Sequence, residues 1–236
     1  RRDNIESDAF VRNTRDIGFV YVLAADVSVD LSVAEPIWSH SVNVTGTRTA
    51  LEYAKAHKAR MVCASSAAVY GMPDNVAISE DAPPVPCSPY GAEKLAAEHY
   101  VRLYNQLYDI ETVGLRLFNV YGPGQPPNAS AGVVTRFMKD AIDDQPLTIH
   151  GDGEQTRDFV HVNDVVDACL AAGTTAYTGE MFNIGTGYET SVNELADKIL
   201  DAADSTAGVV RDTPRSGDIA RSCADIEKAQ NKLGYA

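Results

Sequence analysis

Tyr90 and Lys94 stand four residues apart in "SPYGAEKLAAEHY" (88–100), directly after a proline-rich loop. Residues at that spacing share one face of a helix, so a helix here would hold a phenol beside an ammonium, close enough to interact chemically. Ser88 and Pro89 suit an N-cap and a first helical position, which would set Tyr90 in the opening turn. Upstream, "ASSAAVYG" (64–71) reads as a strand running into a serine-rich end. In an open α/β sheet, ligands meet that carboxyl edge.

The elements that must position these groups follow from periodicity. β-branched apolar runs at 19–25, 60–66, 111–118, 146–150, 158–162 and 181–185 read as strands. Helical patterns fill about 5–16, 36–57, 89–108, 132–143, 163–175 and 191–202, with a short one near 225–233. The alternation predicts right-handed βαβ units and a parallel sheet covered on both faces. Long segments of turn chemistry at 71–89 and 119–132 exceed mere connections and suggest functional loops.

Composition narrows the function. The 236 residues, 44% hydrophobic and 22% charged, suit a globular protein with one large core or two smaller ones. A net charge of −13 without a basic patch opposes nucleic-acid binding. No apolar run approaches a membrane span and the first residues lack the apolar core of a signal peptide, so the cytoplasm is the expected location. Cys63, Cys87, Cys169 and Cys223 are scattered like reduced thiols, and the five histidines form no metal-type cluster, so no metal is expected. A full GxGxxG dinucleotide-binding turn is not found either: "GPG" (122–124) and "GTG" (185–187) lack its spacing.

Taken in order, "LAADVSVDLSVAEP", "NVTGT", "ASSAAVYG", "SPYGAEK", "RLFNVYGPGQ", "LTIHGDGEQTRDFVHVNDVV", "FNIGTG" and "PRSGDIARSCADIEKA" resemble the extended short-chain dehydrogenase/reductase family. More narrowly, the chain is similar to NAD-dependent nucleotide-sugar epimerases of the UDP-glucose 4-epimerase type. A lone YxxxK is a weak signal; the ordered set is a strong one. The resemblance implies a Rossmann-like doubly wound sheet, N-terminally incomplete, with a smaller C-terminal α/β substrate domain. Residues 1–118 and about 158–185 would form the NAD-binding part, and 119–157 with 186–236 the nucleotide-sugar part.

It further implies that Tyr90 takes the proton of the sugar C4 hydroxyl, that Ser66 relays it, and that Lys94 lowers the tyrosine pKa. Leu23, Ala24, Ala25, Asn43, Ser65, Tyr90, Lys94 and Phe118 fall at cofactor-contacting positions, and Ser66, Asn119, Arg157, Arg215 and Asp218 at substrate positions. Dehydratases of the family carry an acid where this chain has Ala67 and Ala68. Two alanines cannot donate the proton that expels a hydroxyl as water, which favours 4-epimerisation of a UDP-sugar. Ser222, where some relatives place tyrosine, would leave room for an N-acetyl group. A homodimer through 36–57 and 89–108 is the implied assembly. Val22 departs from the histidine common before "LAA", and the likeness starts past the family's third strand, which would leave an apolar sheet edge to be covered. A non-catalytic nucleotide-sugar binder and a reductase on the same scaffold are the competing readings.

Overall fold

The computed structural model describes residues 17–73, 76–127, 131–214 and 217–236. The helix expected at 5–16 lies outside them. Four parallel strands, β1 (Phe19–Val22), β2 (Arg60–Ser66), β3 (Thr112–Leu117) and β8 (Glu180–Ile184), form a sheet in the order β1-β2-β3-β8. β2 shows why the run at 60–66 is apolar throughout. Met61 and Cys63 enter one core and Val62 enters the other, because successive side chains point to opposite faces.

The first face is covered by α3 (Gly46–His57), through Ala50, Leu51 and Ala54, and by α4 (Pro89–Tyr108), through Val101 and Tyr104. Val22 is buried in the same core. The opposite face is covered by α6 (Val162–Thr174) and α8 (Glu227–Leu233), which contribute Val165, Ala168, Ala172 and Ala229. α8 belongs to 186–236, the part expected in the substrate domain, and it packs on the sheet. A third core joins α5 (Val133–Ile142), β5 (Leu147–His150) and α7 (Val192–Ala203), through Phe137, Leu147, Ile149, Leu195 and Ile199. Three small ladders complete the pairing: β4 (Asn119–Tyr121) with β7 (Phe159–His161), β6 (Thr156–Arg157) with β9 (Thr190–Ser191), and β5 with β10 (Val209–Asp212).

Among the described residues β1 pairs on one side only, with β2, and its Phe19 and Tyr21 are 52% and 40% exposed. The single helix expected at 36–57 is interrupted. A short α2 (Pro36–His40) runs through a π-helical turn at Ser41–Thr45 into α3, and one further helix, α1 (Val29–Ala34), precedes it. Among the described residues no helix is long and apolar enough to cross a membrane.

Gly91, in the first turn of α4, makes the closest approach that matters to the site. A Cβ there would stand 2.5 Å from the Ala68 carbonyl oxygen, a backbone atom that cannot swing aside. Gly91→Ala is expected to push α4 off the Ala67–Tyr70 turn, costing ~1–3 kcal/mol of stability through overpacking and roughly 100-fold in activity through misplacement of Tyr90 and Lys94. Thermal melts and steady-state rates on the same preparation check both effects.

Candidate active site

β2 ends at Ser66, whose Oγ accepts the Ala68 N–H at 3.2 Å and so caps the 3₁₀ turn Ala67–Tyr70. α4 starts as the sequence indicates: Ser88 Oγ accepts the Gly91 N–H at 3.1 Å and Pro89 occupies the first turn. Tyr90 is thereby fixed with 8% exposure. Its backbone N–H donates to Ser32 Oγ of α1 at 3.1 Å, and its phenol lies near enough to Ser66 for that hydroxyl to favour the phenolate. Lys94, 5% exposed, donates from Nζ to the Ala64 carbonyl at 2.9 Å, and that Nζ lies 5.9 Å from the Tyr90 ring centroid. Serine, tyrosine and lysine thus converge on the carboxyl end of β2.

The expected lowering of the Tyr90 pKa is not found in the ligand-free chain. Burial pushes the phenol above its usual range, the Ser66 hydroxyl only partly opposes this, and the carboxylates of Asp26 and Glu93 add to the rise. Burial also pushes the Lys94 ammonium down. Desolvation disfavours whichever form is charged, so both groups are biased toward neutrality until a ligand supplies compensating charge.

Around this trio lies a cluster that periodicity could not reveal. Asn43, in the π-helical turn, grips the backbone of Asp26 from both sides: Nδ2 donates to the Asp26 carbonyl at 3.1 Å, and Oδ1 accepts the Asp26 N–H at 3.0 Å. Asn43 Nδ2 also donates to Glu93 Oε2 at 2.7 Å, which Ser39 Oγ reaches at 2.7 Å as well. A wider turn at a functional site is a recurrent use of π-helix. Here it seats one amide between the end of β1 and α4.

Of the residues expected to meet substrate, Asn119, Arg157 and Asp218 border a cavity of ≈ 370 Å³ also lined by Arg136, His150 and Gln155. That volume falls within the usual range for small-molecule sites. Ser66 is in register with Leu117, two residues before Asn119, and Val29 of α1 also lines the cavity, so it adjoins Ser66, Tyr90 and Lys94 along the sheet edge. Arg157 reaches Asp218 and donates to the carbonyls of Thr156 and Ile219 at 2.7 and 2.6 Å. Burial lowers its pKa while Asp218 opposes the shift. Arg215 lies outside the described residues. Arg136 and His150 escaped the sequence reading; their only signal was a basic side chain beside an apolar run.

Other expected cofactor positions divide by environment. Leu23 and Ala24 are exposed and Ala25 is partly buried just past β1. Ser65 Oγ instead donates to Glu98 at 2.6 Å, and the Phe118 side chain packs in a core with Val69, Tyr70, Ile78 and Ala224. Contact from those two therefore falls to the backbone. Beneath them runs a buried polar chain that was not foreseen. Arg116 forks onto Glu98 at 2.9 and 2.7 Å and donates to the Tyr70 hydroxyl at 2.8 Å, which donates to Asn183 Oδ1 at 2.6 Å. It ties β2, β3, β8 and α4 together under the trio.

The donor set fits the nicotinamide end of a dinucleotide. The Lys94 ammonium carries three protons and has one hydrogen-bond partner among the described residues, and the Asp26 Oδ2 oxygen is buried without any. An acceptor and a donor with spare capacity at one sheet edge suit a polyhydroxylated ligand.

Comparison with known proteins agrees. The family model described as "NAD dependent epimerase/dehydratase family" matches residues 2–185. The chain is 43% identical over 225 residues to a putative UDP-glucose 4-epimerase of Methanocaldococcus jannaschii, covering 94% of this chain and 73% of that protein. The solved UDP-glucose 4-epimerase of Thermotoga maritima with UDP-glucose superposes with a TM-score of 0.95 at 35% identity, covering 99% of this chain and 77% of that one. The UDP-N-acetylglucosamine 4-epimerase of Methanobrevibacter ruminantium superposes with the same TM-score of 0.95 at 31% identity, covering 99% and 76%. A match over most of the chain, at this level of identity and with the sheet edge so arranged, means that the chain belongs to the NAD dependent epimerase/dehydratase family.

Proposed function

We propose that the protein inverts C4 of a UDP-sugar, interconverting UDP-glucose and UDP-galactose, through a transient 4-keto sugar. The observation that carries this reading is the convergence of Ser66, Tyr90 and Lys94 beside the cavity walled by Arg157 and Asp218. Leu23–Ala25, Asn43, Lys94 and the backbone at Ser65 and Phe118 would hold NAD, which when bound would supply the hydride acceptor and donor. Ser66 orients the C4 hydroxyl and passes its proton to Tyr90, and returns it when the carbonyl is reduced. Arg157 and Asn119 hold the diphosphate, a task for which a planar guanidinium is well shaped, while Asp218 and Arg215 meet the nucleoside ribose. Residues 67 and 68 remain alanines in the turn beside Ser66, so no side chain there can protonate a departing hydroxyl. Conversion of UDP-galactose to UDP-glucose by the protein with NAD, without net cofactor reduction, tests the assignment; loss of water from the sugar would refute it.

The expected sugar specificity rests on Ser222, a small buried side chain next to Arg221, itself held by Glu189. The protein is expected to accept UDP-GlcNAc or UDP-GalNAc as well, with kcat/KM within roughly 10-fold of the unsubstituted sugars, the range a modest change in pocket packing can impose. Chromatographic assay of both N-acetylated sugars checks this, and no turnover of either would overturn it. The proposed homodimer through 36–57 and 89–108 uses the outward side of α4, where Leu103, Leu107 and Tyr108 are exposed.

A further inference from the structure

Asp26 carries an energetic anomaly. It is 9% exposed, its Oδ1 accepts the Ser28 N–H at 3.2 Å, and its Oδ2 is buried with no hydrogen-bond partner among the described residues. An unsatisfied buried carboxylate oxygen destabilises the fold that contains it. The chain nevertheless holds this residue firmly, because Asn43 bonds both its N–H and its carbonyl, and Glu93 and Ser39 in turn hold Asn43. A conformation so over-determined around a costly group is the signature of a functional constraint.

Its position says what the constraint serves. Asp26 directly follows Leu23–Ala25 at the carboxyl end of β1, and its charge bears on the Tyr90 phenol. The Lys94 ammonium, next to Glu93 on α4, has donors to spare in the same neighbourhood. We propose that Asp26 is a ligand-anchoring residue whose unpartnered Oδ2 accepts a hydrogen bond from a ribose hydroxyl at the nicotinamide end of the bound dinucleotide. A charged acceptor already desolvated in the free protein gains that bond without first shedding water, so the cost borne by the empty fold is returned on binding. The UDP-sugar is expected farther along the edge, at Arg157 and Asp218, out of reach of this oxygen.

This inference rests on the NAD-dependent reading of the site, and the experiment separates the two. Asp26→Asn keeps the shape and the oxygen that caps Ser28 while removing the charge; Asp26→Ala removes both. Melting midpoints of the ligand-free proteins are measured first, then calorimetric titrations with NAD alone and with UDP-glucose alone. Asp26→Asn is expected to raise the ligand-free midpoint by ~2–4 °C, to weaken NAD binding by roughly 10-fold or more, and to leave UDP-glucose affinity unchanged. Asp26→Ala is expected to lose NAD affinity to at least the same degree. A lower midpoint for Asp26→Asn, unchanged NAD affinity, or parallel loss of both ligands would make Asp26 purely structural and overturn the proposal. A wild-type protein that binds UDP-glucose but not NAD would overturn it together with the cofactor assignment, and one that binds neither would overturn the reading of the site itself.

Discussion

Tyr90→Phe is expected to lower kcat by ~10³-fold or more, within the range that loss of a positioned acid/base group produces, while the melting midpoint moves by no more than about 2 °C. The asymmetry follows from what the substitution removes. The ring keeps its buried place under α1 and its backbone bond to Ser32, and Ser66 keeps the Ala68 N–H on its oxygen. Only the hydroxyl is lost, the group proposed to take the C4 proton. KM for the UDP-sugar should be little changed, because Arg157, Asn119 and Asp218 are untouched. The same variant reports the ionisation of the tyrosine. A difference titration of ligand-free wild type against Tyr90→Phe, followed by phenolate absorbance, should assign to Tyr90 a transition above pH 10.0, the direction set by its burial and by Asp26 and Glu93. A raised folded-state pKa means that the protonated phenol contributes its stability below the unfolded value and loses it as pH climbs through the folded one. A Tyr90 transition below pH 10.0 would show that Lys94 alone suffices to favour the phenolate.

Arg116→Leu should be the most damaging change to the fold. It strands the Glu98 carboxylate in the interior with Ser65 as its one remaining donor among the described residues, and breaking a buried ion pair from one side costs about 3–5 kcal/mol. For a chain of this size the melting midpoint should fall by roughly 10 °C. Burial alone would lower the Arg116 pKa, but Glu98 and Tyr70 outweigh it and raise the net value, while burial drives Tyr70 up to about 12. Both shifts reflect a pair that stays charged beside a phenol that stays neutral. Replacing Glu98 and Arg116 together by leucine should recover part of the loss, since no uncompensated charge is left behind. Chemical denaturation of the single and double variants measures the coupling, and additive losses would deny it. Because Ser65 sits on Glu98 directly before Ser66, the single variant should also lose activity beyond what its stability accounts for.

Much of this was legible before any coordinates. Strand 60–66 came out at the residues the apolar run marks, and α4 begins at the Ser88–Pro89 signature and ends at Tyr108. Those elements follow local rules that need no partner. Helix α1 does not: Val29, Leu31 and Val33 face outward, and the one buried residue is Ser32, whose hydroxyl receives the Tyr90 N–H. Apolar periodicity reads such a helix inside out. The strands β4, β6 and β9 span two or three residues, and all four residues of β10 are exposed, so none carries an alternating pattern long enough to detect. The buried polar groups were hidden for a different reason. Asn43 meets Glu93 fifty positions away and Glu98 meets Arg116 eighteen positions away, and nothing in a linear pattern distinguishes these from solvated helix charges.

Carbon–hydrogen bookkeeping at the sugar tests the central claim most directly. UDP-galactose is incubated with the protein and NAD in deuterated water, and the product is read by nuclear magnetic resonance. The account predicts UDP-glucose with its original hydrogen retained at C4 and the C6 hydroxyl intact, formed in excess over cofactor. Deuterium at C5 with loss of the C6 hydroxyl, or one reduced cofactor accumulating per sugar oxidised, would contradict it.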